Sequence, residues 1–184
     1  MRTMNRLRKL AIILFALLLL AAAGCKPRSV ISGRWAYNHD PKTPVLILKS
    51  NGRAELDGVT YTYTNDGNFL FLKGSDGLDL KLRYMLDDGG MILYRPTDYQ
   101  YSGTGIPRNL TGLWSCPEKK WSFEFTEKGT FLEDGYFPGY YSVDEKNSSI
   151  TLDYMDEFRD TVCYYTLNGS VLIVEYPWKM VRAE

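Results

Sequence analysis

Apolar and polar residues alternate along most of this chain. The alternation is plain in VTYTYT (59–64), LDLKLRY (78–84), WSFEF (121–125) and SITLDY (149–154). A period of two places every second side chain on one face of a strand, so each segment predicts a strand with one buried face. β-branched and aromatic residues dominate these runs, as pleated surfaces favour. Between them stand Asn51-Gly52, Asp57-Gly58, Asp66-Gly67, Asp87-Asp88-Gly89-Gly90, Lys128-Gly129 and Asn168-Gly169. Such pairs supply the positive φ angles of tight hairpins. Turns this frequent leave no length for crossover helices, and no segment after residue 25 carries a helical period. The pattern predicts an all-β antiparallel meander.

The N-terminus obeys a different rule. Arg2, Arg6, Arg8 and Lys9 precede an unbroken apolar run from Leu10 to Ala23, then Gly24 and Cys25. A basic head, a short apolar core and small residues at its end compose a secretory signal. The run is shorter than the ~20 residues that cross a bilayer as a helix. AAGC at 22–25 resembles the bacterial lipobox, with Ala22 where Leu is more usual. The resemblance implies cleavage after Gly24, lipid on the Cys25 sulfur and acylation of the new amine, which together give several acyl chains and a stable anchor. The expected product is a bacterial membrane lipoprotein on the extracytoplasmic face.

Removing residues 1–24 takes four basic residues and no acid from a chain of 22 basic and 22 acidic residues, leaving 160 residues and a net charge of −4. A mildly acidic surface without a basic run argues against nucleic acid. The membrane is then met through the lipid alone.

Two openings repeat: ISGRWAY at 31–37 and LTGLWSC at 110–116. The events after them recur in the same order, with Trp35 and Trp114 79 residues apart, Gly52 and Gly129 77 apart, and Leu86 and Leu167 81 apart. The chain therefore divides into signal 1–24, tether 25–30, module 31–95, linker 96–109 (Pro-, Gly- and polar-rich) and module 110–184. Meanders hide their edges by closing into barrels. Two small tandem barrels fit, and so does one larger barrel shared by both halves; one Trp per copy and the linker favour two.

The Gly-x-Trp openings at Gly33/Trp35 and Gly112/Trp114, the hairpin turns, and short final strands ending in Arg95 and Arg182 resemble lipocalin-like domains of exported bacterial lipoproteins. The resemblance spans 31–95 and 110–182. It implies that Trp35 and Trp114 plug one end of each barrel. Lipocalins use about twice this length per barrel, so their ligand cavity does not carry over.

Candidate chemistry is sparse. Cys116 and Cys163 follow the parity of inward positions in the second module, and export permits disulfides, so the two form a candidate bridge; the alternative is a pair of free buried thiols. His39, beside Asp40, is expected in an exposed loop. A single His and few thiols leave no zinc set. Asp153, Asp156, Glu157 and Asp160 lack a calcium-loop pattern and surround Arg159, so they read as a solvated hairpin. SGTGIP lacks the third Gly of a nucleotide loop. The sequons at Asn109, Asn147 and Asn168 have no role on a bacterial export route. No cofactor or metal is expected.

Aromatics are the stronger lead. The chain has 4 Trp, 14 Tyr and 8 Phe, of which only Phe15 lies in the leader. Tyr99, Tyr101, Tyr136 and Tyr140 fall on the expected linker and turns, where an amphipathic ring suits a ligand or an interface. The expected role is non-enzymatic: a binding module for a small apolar ligand or a glycan, or else a structural, interaction or inhibitor protein of the envelope. In cells fed a labelled fatty acid, the wild-type chain should take up the label. A Cys25→Ser variant should lose both the label and stable membrane retention; a label that persists on it would sink the lipobox reading.

Overall fold

The computed structural model describes residues 30–155 and 160–184. The first half holds β1 (Gly33–Tyr37), β2 (Pro44–Leu48), β3 (Arg53–Leu56), β4 (Val59–Asn65), β5 (Phe69–Gly74), β6 (Asp79–Asp87) and β7 (Gly90–Tyr101). The second holds β8 (Gly112–Cys116), β9 (Trp121–Phe125), β10 (Thr130–Glu133), β11 (Phe137–Asp144), β12 (Ser149–Tyr154), β13 (Thr161–Asn168) and β14 (Val171–Arg182). Each strand pairs antiparallel with the next, and β1 closes the ring on β14. The chain is an all-β meander, as its alternation predicts.

One further pairing shapes the ring. β7 and β14, each 12 residues long, pair antiparallel from Met91↔Met180 to Gln100↔Val171. This ribbon crosses the middle of the 14-strand ring and pinches it into two lobes. Lobe 1 comprises β1–β6, the first half of β7 and the last half of β14. Lobe 2 comprises β8–β13, the last half of β7 and the first half of β14. Each lobe thus closes on eight strand segments, and the choice between two barrels and one resolves into a single ring with two lumens.

The cores follow the ribbon rather than the sequence halves. Met180, from the end of the chain, is buried with Trp35, Leu46, Leu72, Met91 and Leu93 in lobe 1. Tyr99 and Leu110 are buried with Trp114, Phe123, Ile150, Leu172 and Val174 in lobe 2. Residues 96–101 of the expected linker are therefore not a linker: they form the second half of β7 and wall lobe 2. Offsets along the ribbon correct a second expectation. The residue that corresponds to Arg182 is Tyr101, two beyond buried Tyr99 as Arg182 is two beyond buried Met180, and Arg95 lies mid-strand.

Trp35 and Trp114 occupy equivalent places. Each ring is at most 2% exposed. Each indole N–H donates to the carbonyl four residues back, Ile31 at 2.8 Å and Leu110 at 2.7 Å. That bond satisfies the one polar atom of a buried indole. Over the rings lie the Arg182 guanidinium, 3.9 Å from the Trp35 centroid, and the Tyr101 ring, 5.1 Å from that of Trp114. Those covers explain the glycines. Gly33 and Gly112 have φ of 144° and 121°, and a Cβ there would strike Arg182 and Tyr101 respectively.

Arg83 latches the back of the ribbon. It reaches from β6 to Glu175 of β14, 3.2 Å away, and stacks 3.7 Å from the ring centre of Tyr164 on β13. A chain ended at Tyr176 lacks the half-strand that completes lobe 1. Hydrogen exchange should then show the amides of β1–β6 losing protection ahead of those of β8–β13. Unchanged protection in β1–β6 would overturn the shared-ribbon account.

Candidate functional site

Both lumens are occupied by side chains: Trp35, Leu46, Leu48, Leu70, Leu72, Met91 and Leu93 in lobe 1, and Trp114, Phe123, Phe125, Ile150 and Leu152 in lobe 2, are each less than 2% exposed or close to it. Space for a ligand lies elsewhere, between the lobes. On the lumen-facing side of the ribbon the alternate residues are Met91, Leu93, Arg95, Thr97 and Tyr99 of β7, and Leu172, Val174, Tyr176, Trp178 and Met180 of β14. The outer members enter the two cores. The central four, Arg95, Thr97, Tyr176 and Trp178, belong to neither core's buried set and floor a cleft where the lobes part.

The cleft has two arms of about 260 Å³ each. They share Thr97, Trp121 and Trp178. The first arm continues over Tyr99, Val174, Tyr176, Glu133 and Asp134. The second continues over Tyr37, Arg95, Pro96 and Lys119. Trp121, at the first position of β9, is 37% exposed. Trp178 packs at 5.1 Å on Tyr37 and at 6.3 Å on Tyr176, ring centre to ring centre. His39 stacks on Tyr37 at 5.5 Å and is exposed in the turn after β1.

Polar groups are fixed around these rings. Arg95 donates to the Tyr37 hydroxyl at 2.5 Å and to the Asp57 carboxylate at 2.5 Å. Lys119 Nζ donates to Thr97 Oγ1 at 3.1 Å and lies 4.6 Å from the Trp121 ring centre. In the acidic arm the Tyr154 hydroxyl donates to Glu133 Oε2 at 2.5 Å and lies 3.3 Å from the Tyr176 hydroxyl. Asp134 Oδ1 accepts the Ser122 amide at 2.6 Å. Burial lifts the Glu133 carboxyl above the ordinary carboxylate range; the Tyr154 hydrogen bond opposes this and the neighbouring Asp134 charge adds to it. Burial, and donation to Glu133, hold the Tyr154 hydroxyl far above an ordinary phenol.

The matching strand registers of the two lobes provide an internal control on these residues. Glu133 pairs with Phe123, which pairs with Trp114; in lobe 1 the same path leads from Trp35 through Leu46 to Leu56. Tyr154 corresponds likewise to Gly74, through Gly139 and Tyr61. Tyr176 corresponds to Arg95, 81 residues earlier. One copy of the fold thus closes with Leu56, Gly74 and Arg95, and the other with Glu133, Tyr154 and Tyr176. The barrel itself does not require the half-buried acid.

The residues picked out by sequence are distributed differently. Tyr99 is 5% exposed and packs on Phe123, so it is a core residue whose edge reaches the cleft. Tyr101 covers Trp114. Neither is a free surface aromatic, because β7 runs through both. Tyr136 and Tyr140 are 82% and 54% exposed and line neither arm. Cys116 and Cys163 are both buried, and both are free thiols. The expected bridge is absent because β8 and β13 are separated around the wall by β7 and β14. Cys163 stands where lobe 1 has buried Leu82, and burial pushes its thiol well above an ordinary one. Asp153 and Asp160 are exposed, whereas Asp156 and Glu157 lie outside the described residues. Among the described residues no three His, Cys, Asp or Glu side chains converge as a metal site would need. Comparison with known proteins found no matching family model, no matching curated protein and no matching solved structure.

Trp121, Trp178, Tyr37, Tyr176 and Glu133 escaped sequence reading. Their one visible signal was a mismatch between the copies, Leu56 against Glu133 and Arg95 against Tyr176, at positions where the cores otherwise correspond. A carboxyl whose folded value is raised stays protonated while the unfolded chain ionises, so it lowers stability as pH rises from the ordinary carboxylate value to the raised one. Glu133→Gln should therefore match wild type in urea melts near about pH 4 and exceed it near about pH 8, beyond the interval where carboxylates titrate. Parallel stability curves would contradict this environment for Glu133.

Proposed function

We propose that this chain is an exported bacterial lipoprotein, held by lipid on Cys25 at the extracytoplasmic face of the membrane, and that it acts as a non-enzymatic binding module. Its ligand seat is the cleft between the lobes, not a barrel lumen, and its ligand is small, with an apolar or sugar-like ring face. One observation carries this reading. Trp121, Trp178, Tyr37 and Tyr176 gather around a cleft floored by hydrogen-bonding side chains, while packed side chains occupy both lumens. Clefts at lobe junctions with aromatic walls and a few placed polar groups are the usual form of small-molecule sites. The rings offer area at little entropic cost, and Thr97, Arg95 and Glu133 offer direction. The closure of each lobe on eight strand segments, the number in an up-and-down lipocalin barrel, supports the lipocalin-like resemblance of the two openings.

A second reading, an interaction or inhibitor role at the envelope, draws on a different surface. Tyr136, Phe137 and Tyr140 are 82%, 42% and 54% exposed on the β10–β11 side of lobe 2. Exposed aromatics so close together suit a protein partner.

Native mass spectrometry of the protein purified from its own host separates the two. A bound small molecule on wild type that is lost from Trp178→Ala, with Tyr136→Ser unaffected, is the expected result. A clean apo mass would count against the cleft reading, and a protein partner lost on Tyr136→Ser would favour the second.

A further inference from the structure

The acidic arm of the cleft carries more information than its aromatic walls. Of its lining side chains among the described residues, Trp121, Trp178, Tyr99 and Tyr176 are aromatic, Glu133 and Asp134 are acidic, and none is basic. Resting on the cleft as the ligand seat, we propose that this arm binds a small organic ammonium group, methylated or primary, seated against the Trp and Tyr rings with Glu133 as its counter-charge.

Three observations converge on a cation. The π-faces of Trp and Tyr attract positive charge, most strongly where water is displaced, and aromatic walls beside acids are how proteins hold quaternary ammonium. The Trp121 ring already accepts an ammonium in this structure, because Lys119 Nζ sits 4.6 Å from its centre while reaching to Thr97. Lys119 lines the other arm, so the chain's own cation marks the shared Trp121 without occupying the acidic arm.

The third observation is the cost of Glu133. Taking a carboxylate partly out of water is unfavourable unless something pairs with it, and half-buried Glu133 takes a hydrogen bond from the Tyr154 hydroxyl. Lobe 1 avoids that cost with Leu56 at the matching place, so the fold does not demand an acid. A neutral sugar ring would use the aromatic walls and a hydroxyl or amide equally well. A ligand cation uses the charge. The cavity, about 260 Å³, has room for a group of choline size.

The test uses the purified full-length lipoprotein in a non-ionic detergent. It is titrated with choline, and with dimethylbutanol as the neutral isostere in which carbon replaces nitrogen, and Trp fluorescence and calorimetry are recorded. Choline should bind at least about tenfold tighter than the isostere, a difference of ~1.4 kcal/mol. Added salt should weaken it. Glu133→Gln should erase the preference while melting no lower than wild type, and Trp121→Leu should weaken both probes. Equal binding of the two probes overturns the cation and leaves the cleft reading standing. If neither probe binds and the host-purified protein carries an uncharged molecule, the cation fails and the cleft stands. If neither binds and the mass is clean, both fail. A lipid headgroup and a free solute present the same cation, so choline binding is repeated in phosphatidylcholine and phosphatidylglycerol vesicles. Weaker choline binding in the former marks a headgroup ligand, and equal binding marks a free solute.

Discussion

The antiparallel pairing of β7 with β14 is the constraint on which the rest of the molecule depends. Without it, 14 antiparallel strands would close around one wide lumen, too broad for side chains to fill. With it, each lobe closes on eight segments, the size at which side chains meet across the middle. The ribbon also binds the halves into a reciprocal arrangement. Met180 completes the core of the first copy, and Tyr99 that of the second. Neither copy, at about 70 residues, buries much apolar surface alone, and sharing two long strands offsets that deficit.

The same ribbon creates the cleft. Its ends are committed to the two cores, so the alternate residues at its centre have no lumen to enter. Arg95, Thr97, Tyr176 and Trp178 are left between the lobes, where Trp121 and Lys119 from lobe 2 and Tyr37 and Asp57 from lobe 1 close around them. On the opposite face, Arg83 of lobe 1 ties to Glu175 of the ribbon and Tyr164 of lobe 2. A half-buried ion pair of this kind stabilises modestly.

Correspondence between the two lobes lets packing be separated from special function within one chain. Positions that keep their character in both copies serve the barrel: the paired Trp residues with their i−4 carbonyls, the Gly residues beneath Arg182 and Tyr101, and the Asp57-Gly58 and Asp134-Gly135 turns with φ near 50° at both Asp residues. Cys163 belongs with these, filling a position that Leu82 fills in the other lobe, where a thiol behaves as a small hydrophobe. Among the positions that diverge in character are those at the cleft. There Leu56, Gly74 and Arg95 are exchanged for Glu133, Tyr154 and Tyr176, and a closure built on the Arg95 guanidinium becomes one built on the Glu133 carboxyl.

The sequence by itself determined the strand class, most turns, the inward faces and the existence of two copies, because a period of two and Gly-bearing turns are local physics. Trp35 and Trp114 are both buried, each with its indole N–H satisfied by the carbonyl four residues back. What the sequence could not decide was which strands met across the ring. Residues 96–101, with Pro96 and five polar or Tyr neighbours, read locally as a linker; only pairing with β14 makes them a strand. From that one misreading followed the others. Tyr99 and Tyr101 looked exposed, and Cys116 looked adjacent to Cys163 although two strands intervene. The cleft lies further still from local pattern, for Trp121 and Glu133, on the paired strands β9 and β10, meet Trp178 of β14 and Tyr37 of β1 only where the lobes part. That meeting depends on the ribbon, and it exists only in the tertiary structure.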